Sequence, residues 1–168
     1  ALAQLGIVFQ QPTLDLETTV QNNMAYFAGL HGLQGAQARR RIDAALDRMD
    51  MRERAGETVR ALNGGHRRRM EIARTLIHDP AILLLDEPTV GLDPQARQSI
   101  TDYTHALAED GLAVLWATHL VDEIRPSDQV TVLDQGHVLA EGNFAEVSKD
   151  QAVAVLFPQI STGGGHST

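Results

Sequence analysis

Apolar positions along this 168-residue chain recur with two different periods, and the change of period divides it. Residues 5–9, LGIVF, form a short continuous apolar run ended by Gln10, Gln11 and Pro12, the pattern of a strand entering a loop. From Thr18 to Leu30 the residues Val20, Met24, Phe27 and Leu30 recur every three or four positions, which predicts one face of a helix closed by His31 and Gly32. A second helix is predicted from Gln37 to Met51. Ile42, Ala45, Leu46 and Met49 fall on one side of it, and Arg39, Arg40, Asp43, Asp47 and Arg48 largely on the other, a solvated face. A third follows LNGGH, residues 62–66, and runs to His78, with Met70, Ile72, Ala73, Leu76 and Ile77 as its buried set and Pro80 beyond its end.

From Ala81 onward the pattern changes. AILLLDE, residues 81–87, is continuously apolar until two carboxylates, as in a strand buried on both faces of a parallel sheet. A helix from Pro94 to Glu109 leads through Gly111 to LAVLWATH, residues 112–119, a second buried strand. A short helix from Val121 to Arg125 precedes QVTVLDQGHVLAEG, two alternating runs about Asp134, Gln135 and Gly136 that read as a hairpin. Phe144 to Phe157 is predicted to form closing helices, and STGGGHST is read as a disordered tail. The first half is therefore helical and the second α/β. In open parallel sheets chemistry gathers at the carboxyl ends of strands, and those ends here carry Asp86, Glu87 and His119.

Composition narrows the choice. A hydrophobic fraction of 43% supports the core of one domain or a large part of one. The formal charge of -8, with basic residues concentrated before Ala81 and acidic ones after it, argues against broad nucleic-acid binding. Without cysteine there is no disulfide, no Cys-ligated zinc and no thiol catalysis. No apolar run approaches the roughly 20 residues of a membrane span, and the start is neither signal-like nor a Met, so residues are expected to precede Ala1.

Two adjacent carboxylates ending a buried strand are costly unless a cation or donor compensates. Because neighbouring strand residues point to opposite faces, Asp86 and Glu87 are expected to do different work, one facing a hydrated Mg²⁺ and the other an attacking water. The glycine pair of LNGGH invites an anion: without side chains, Gly64 and Gly65 let backbone N–H groups approach closely, at the positive end of a helix. Arg67, Arg68 and Arg69 either add positive potential there or bridge to neighbouring Asp and Glu.

LNGGH followed by ILLLDE, GLD at 91–93 and His119, with Gln10 ending the LGIVF strand, together resemble the nucleotide-binding domain of ATP-binding cassette (ABC) proteins from residue 5 to about 145. The resemblance implies an α/β, P-loop NTPase-like fragment with a helical subdomain and a partial, mainly parallel sheet. It divides the chain into a Q-loop strand and loop (1–13), a helical subdomain with the signature (14–80), the second part of the ATPase core (81–158) and a tail (159–168). It also implies roles. Asp86, in the Walker B run, would support Mg²⁺; Glu87 would polarise the water attacking the γ-phosphate; Gln10 would sense Mg²⁺ or that water; His119 would contact the γ-phosphate. Asp93 would sit at the seam of a head-to-tail cassette dimer or cap the helix that follows, and Asn63, Gly64, Gly65 and His66 would close over ATP held by the other subunit. The signature departs from the commoner LSGGQ at Asn63 and His66; Asn caps a helix as well as Ser does, and His66 could contact phosphate, face solvent, or titrate near neutrality.

A complete cassette also carries GxxxxGK[ST], and these 168 residues do not; their single lysine, Lys149, lies in EVSKD. The expectation is an ATP- and Mg²⁺-dependent ATPase subunit of a transporter, paired with a second cassette and a separate transmembrane permease, cytoplasmic and peripheral on the inner face of the membrane, with this chain inactive alone. The alternatives are a non-catalytic module supplying only a signature face, and a soluble cassette ATPase of DNA repair or translation. TLDLETTVQNNMAYFAGLHGL resembles cassettes paired with ABC-2-type permeases, often exporters, and LNGGHRRRMEIARTLIHDPAILLLDEPTVGLDP is similar to the cassette associated with pyrroloquinoline-quinone-dependent alcohol oxidation.

Overall fold

The computed structural model describes residues 4–157 and divides into two compact units, the first ending at Thr118 and the second beginning at His119. In the first unit β1 (Leu5–Val8), β2 (Ile82–Asp86) and β3 (Ala113–Ala117) form a parallel sheet in that spatial order, Leu5 opposite Ile82 and Ile82 opposite Ala113. Parallel neighbours need a crossover. The one between β1 and β2 carries α1 (Val20–Leu30), α2 (Gly35–Arg48) and α3 (Gly64–Leu76); α4 (Pro94–Glu109) connects β2 to β3. The α/β fold with a parallel sheet and a helical insertion is thus as the sequence predicts.

Local chemistry sets the helix ends. The Thr19 side chain accepts from the Asn22 N–H to open α1, and Asp93 accepts from the Ala96 N–H ahead of Pro94 to open α4, whose limits match the sequence reading. The second helix starts two residues early and stops a turn short of Met51, because Asp50 turns left-handed at φ 51° and the Met51 N–H folds back to Leu46 O at 2.9 Å.

The core lies between these helices and one face of the sheet. Met24, Ile42, Leu46, Met49, Met51, Met70, Ile72, Ile77, Leu83, Ile100 and Leu107 are almost wholly buried, so all four methionines fill it. Two expectations need correction. On α1, Leu30 is 65% exposed and Phe27 only half-buried, while Ala28 and Asn23 take the inner positions. Asn23 is tolerated there because its amide donates to Asp15 O and Thr18 Oγ1 and its oxygen accepts from the Asp15 N–H, fastening the segment before the helix. The sheet is also buried on one face only: Leu83 and Leu85 are enclosed, but Ile82 is 44% and Leu115 65% exposed, since α3 and α4 pack on a single side.

In the second unit a single 3-10 turn, Val121–Glu123, stands where a short helix to Arg125 was predicted. The hairpin of β4 (Gln129–Asp134) and β5 (His137–Asn143) then turns through Gln135 and Gly136, both left-handed. Two short helices follow, α5 (Phe144–Val147) and α6 (Gln151–Leu156). The tail predicted to be disordered lies outside the described residues.

Candidate functional site

Strand β2 ends on Asp86, whose side chain is exposed, and Glu87 is the first residue beyond it. Glu87 is left-handed at φ 45°, with its N–H held by Ala117 O at 2.9 Å. The backbone thus bends at Glu87, which lies just past the extended strand that Asp86 ends. A left-handed non-glycine residue costs roughly 1–2 kcal/mol, a strain often found where a side chain has to be aimed.

Glu87 is aimed at Gln10. The Gln10 Nε2 donates to Glu87 Oε2 at 3.1 Å, although 77 residues separate them. Parallel register accounts for the meeting: Val8 lies opposite Leu85, so both chains leave the sheet at the same end and side by side. Both side chains stay accessible, with Gln10 exposed and Glu87 half-buried.

The LNGGH segment begins α3 from within. Asn63 is its N-cap, its Oδ1 accepting from the His66 N–H at 2.8 Å, and the first helical bond runs from the Arg67 N–H to Asn63 O. The N–H groups of Gly64 and Gly65 are thereby left without a partner inside the helix, which is the donor arrangement an anion takes. The glycines also meet a second demand that the sequence did not disclose. A Cβ on Gly65 would lie 2.8 Å from Ala96 Cβ, and one on Gly64 3.1 Å from Leu92 Cδ2, so the start of α3 is packed onto the 91–93 turn and the first turn of α4. Asp93 is in that turn, exposed, and caps α4.

His66 is half-buried, and burial together with Arg69 and Arg54 holds its pKa below the ordinary histidine value. It is therefore biased toward the neutral imidazole, able to donate and accept at once. The three arginines after it do not form a phosphate-facing cluster. Arg67 donates to Val59 O and Arg60 O, Arg69 reaches Met49 O and Asp50 and lies over the Tyr103 ring, and Arg68 is buried against Glu71. Of the two expectations for them, bridging to acidic neighbours describes Arg68 and Arg69, and carbonyl capping describes Arg67. The sequence offers bridging for Arg68 but does not show that the Arg68–Glu71 pair is buried. His119, exposed, opens the second unit.

The glycine N–H groups at a helix N-terminus suit a phosphate, and the Asp86 carboxylate and Gln10 carboxamide, where β2 and β1 leave the same end of the sheet, suit a Mg²⁺ that keeps water and phosphate among its ligands.

The family model described as "ABC transporter" matches residues 1–90. The Nod factor export ATP-binding protein I of Ralstonia nicotianae is 41% identical over 143 residues, 84% of this chain and 44% of that protein. The daunorubicin resistance ATP-binding protein DrrA3 of Streptomyces coeruleorubidus is 38% identical over 148 residues, 88% of this chain and 47% of the relative. The chain thus spans about half the length of the curated relatives it matches. Among solved structures, cbiO1 from Clostridium perfringens, part of the ABC transporter complex cbiONQ, superimposes with a TM-score of 0.81 at 31% identity, covering 94% of this chain and 66% of that one.

Proposed function

The chain belongs to the ABC transporter family, as sequence from an ATP-binding subunit, and from that premise we propose that it supplies the water-activating and signature faces of a transport-coupled ATPase. The observation that carries the reading is the Gln10–Glu87 hydrogen bond at the shared end of two parallel strands. A carboxylate oriented by a carboxamide is poised to accept a proton from water. Glu87 is the base in this reading and Gln10 its orienter. Asp86, one residue earlier, would hold Mg²⁺, which would supply neutralisation of the charge that develops in phosphoryl transfer.

Gly64 and Gly65 would present their N–H groups to the γ-phosphate of ATP bound by a second cassette, with Asn63 fixing the loop by its cap and His66 at its rim. Asp93 would stand at the seam of that head-to-tail pair, since its turn packs on the same helix start. On the family resemblance, His119 would contact a γ-phosphate. The division into a loop strand, a helical subdomain at 14–80 and the second part of an ATPase core belongs to the same proposal. Among the described residues no helix is long and apolar enough to cross a membrane. The proposed site of action is the inner face of the membrane, through a separate permease. The names of the relatives, Nod factor export and daunorubicin resistance, favour outward transport for this chain.

These 168 residues contain no GxxxxGK[ST] loop, so the base would act beside a phosphate-binding loop supplied from outside them. Mg²⁺-dependent ATP turnover by the 168-residue chain alone is expected to equal the buffer background. Steady turnover that Glu87→Gln abolishes would contradict the dependence on an external loop, while turnover in a complete complex that is indifferent to Glu87→Gln would contradict the role of Glu87.

A further inference from the structure

Three polar residues of α3, the buried Arg68 and Glu71 and the half-buried Arg74, form one stripe at successive spacings of three along the helix. All three turn toward the short segment that leaves β1. Arg68 pairs with Glu71 at 2.9 Å, with side chains 7% and 4% exposed. The same guanidinium donates through NH1 to Phe9 O at 2.7 Å and through NH2 to Gln10 O at 2.8 Å. Glu71 accepts the Thr13 N–H at 2.9 Å through its other oxygen, and Arg74 donates to Thr13 O at 3.1 Å.

A buried ion pair is weak evidence of stabilisation, because an apolar pair of the same shape would often serve the core as well. This one spends its remaining donors and acceptors on the backbone around Gln10. Past the end of β1 the carbonyls of Phe9 and Gln10 accept from Arg68, and Pro12 has no N–H to offer. The planar fork of arginine matches two successive carbonyls, which a lysine ammonium cannot do at once.

We propose that Arg68 and Glu71 are positioning residues that hold Gln10 against Glu87, so that the helix beginning at LNGGH and the carboxylate at the end of β2 are joined through the backbone of residues 9–13. Any displacement of α3 on engaging an anion at its N-terminus would then be felt at Gln10, because four backbone groups of the loop are bonded to the helix. What the positioned amide does rests on the function proposed above; the positioning itself does not.

The test is NMR on the ¹⁵N-labelled 168-residue chain, following the Gln10 side-chain NH₂ resonances and exchange of the Thr13 amide. Glu87→Ala supplies the reference position of a Gln10 amide that has lost its acceptor. Arg68→Lys keeps the charge and the pairing to Glu71 but cannot span both carbonyls; Arg68→Met/Glu71→Leu removes the pair without leaving a lone buried charge. Both are expected to move the Gln10 signals to the reference position and to speed Thr13 exchange about tenfold in the double variant, the worth of one hydrogen bond, with protection of the Ile72 and Leu76 amides retained. Unmoved Gln10 signals, or loss of α3 protection in Arg68→Lys, would overturn the proposal. In a complete transporter complex Arg68→Lys should lower kcat as Gln10→Ala does while leaving the KM for ATP unchanged, and an equal rise in KM instead would also overturn it. If Gln10 follows Arg68 in the spectra but Glu87→Gln leaves turnover of the complex intact, it is the hydrolytic reading that fails and the positioning that stands.

Discussion

Protonation of His78 would put a second N–H where nothing receives it. Its Nε2 is 3.3 Å from Leu5 O and donates to it, its ring is stacked on His31 at 4.2 Å, and its Nδ1 is buried without a hydrogen-bond partner. Burial first, and then His31, hold its pKa below the ordinary value, against smaller opposing effects of the Leu5 carbonyl and Asp79. A depressed folded-state pKa contributes stability that is present above about pH 6.5 and is lost as pH falls toward the folded value. His66 acts with the same sign; Glu71, raised chiefly by burial, acts with the opposite sign. Denaturant unfolding between pH 7.5 and 6 should therefore show a loss of stability on acidification that is smaller in His78→Phe than in the native chain. Asn63→Ala, which deletes the α3 cap, should cost about 1 kcal/mol in the same assay, and Asn63→Ser almost nothing.

At the scale of elements the junction of α3 with α4 sets two rules against each other. Helix propensity alone would make Gly65→Ala stabilising by up to about 1 kcal/mol. The contact of 2.8 Å with Ala96 makes it destabilising instead, by about 1–3 kcal/mol as an overpacked site, and Ala96→Gly should restore most of the loss. Chemical denaturation of the two single variants and the double variant decides the sign. Within the same helix Ile72→Ala should cost about 2–5 kcal/mol by opening the core. What the sequence disclosed here depended on how local each signal was. The limits of α4 were legible because Asp93 and Pro94 are a start signal in themselves, and the hairpin because Gln135–Gly136 separates two alternating runs. The inner face of α1 was misjudged, since Asn23 is buried by partners before the helix that periodicity does not see. Arg68 and Glu71 were hidden for the same reason: their partners are in residues 9–13, some 60 positions away. Of the site, the residue types at the strand ends could be read directly, whereas the approach of Gln10 to Glu87 required the parallel register of β1 and β2.

For the molecule as a whole, the family resemblance read from motif order agrees with the match to the ABC transporter family and with the fold of cbiO1. The proposed roles of Gln10, Glu87 and the LNGGH residues are argued from the geometry of the first unit, and that of His119 from the resemblance alone. Its exposed apolar sheet face, with Ile82 and Leu115 open, and its signature helix both present surfaces that a partner could cover. The central claim is that LNGGH serves ATP held by another cassette. Its most direct measurement is Mg²⁺-ATP hydrolysis by an equimolar mixture of this chain and a complete cassette whose own signature loop has been deleted. The account predicts turnover in the mixture above the sum of the two components, lost when Gly64→Glu sets a carboxylate where phosphate would bind. Co-assembly of the two chains without any gain in turnover, or a gain that Gly64→Glu leaves intact, would contradict it.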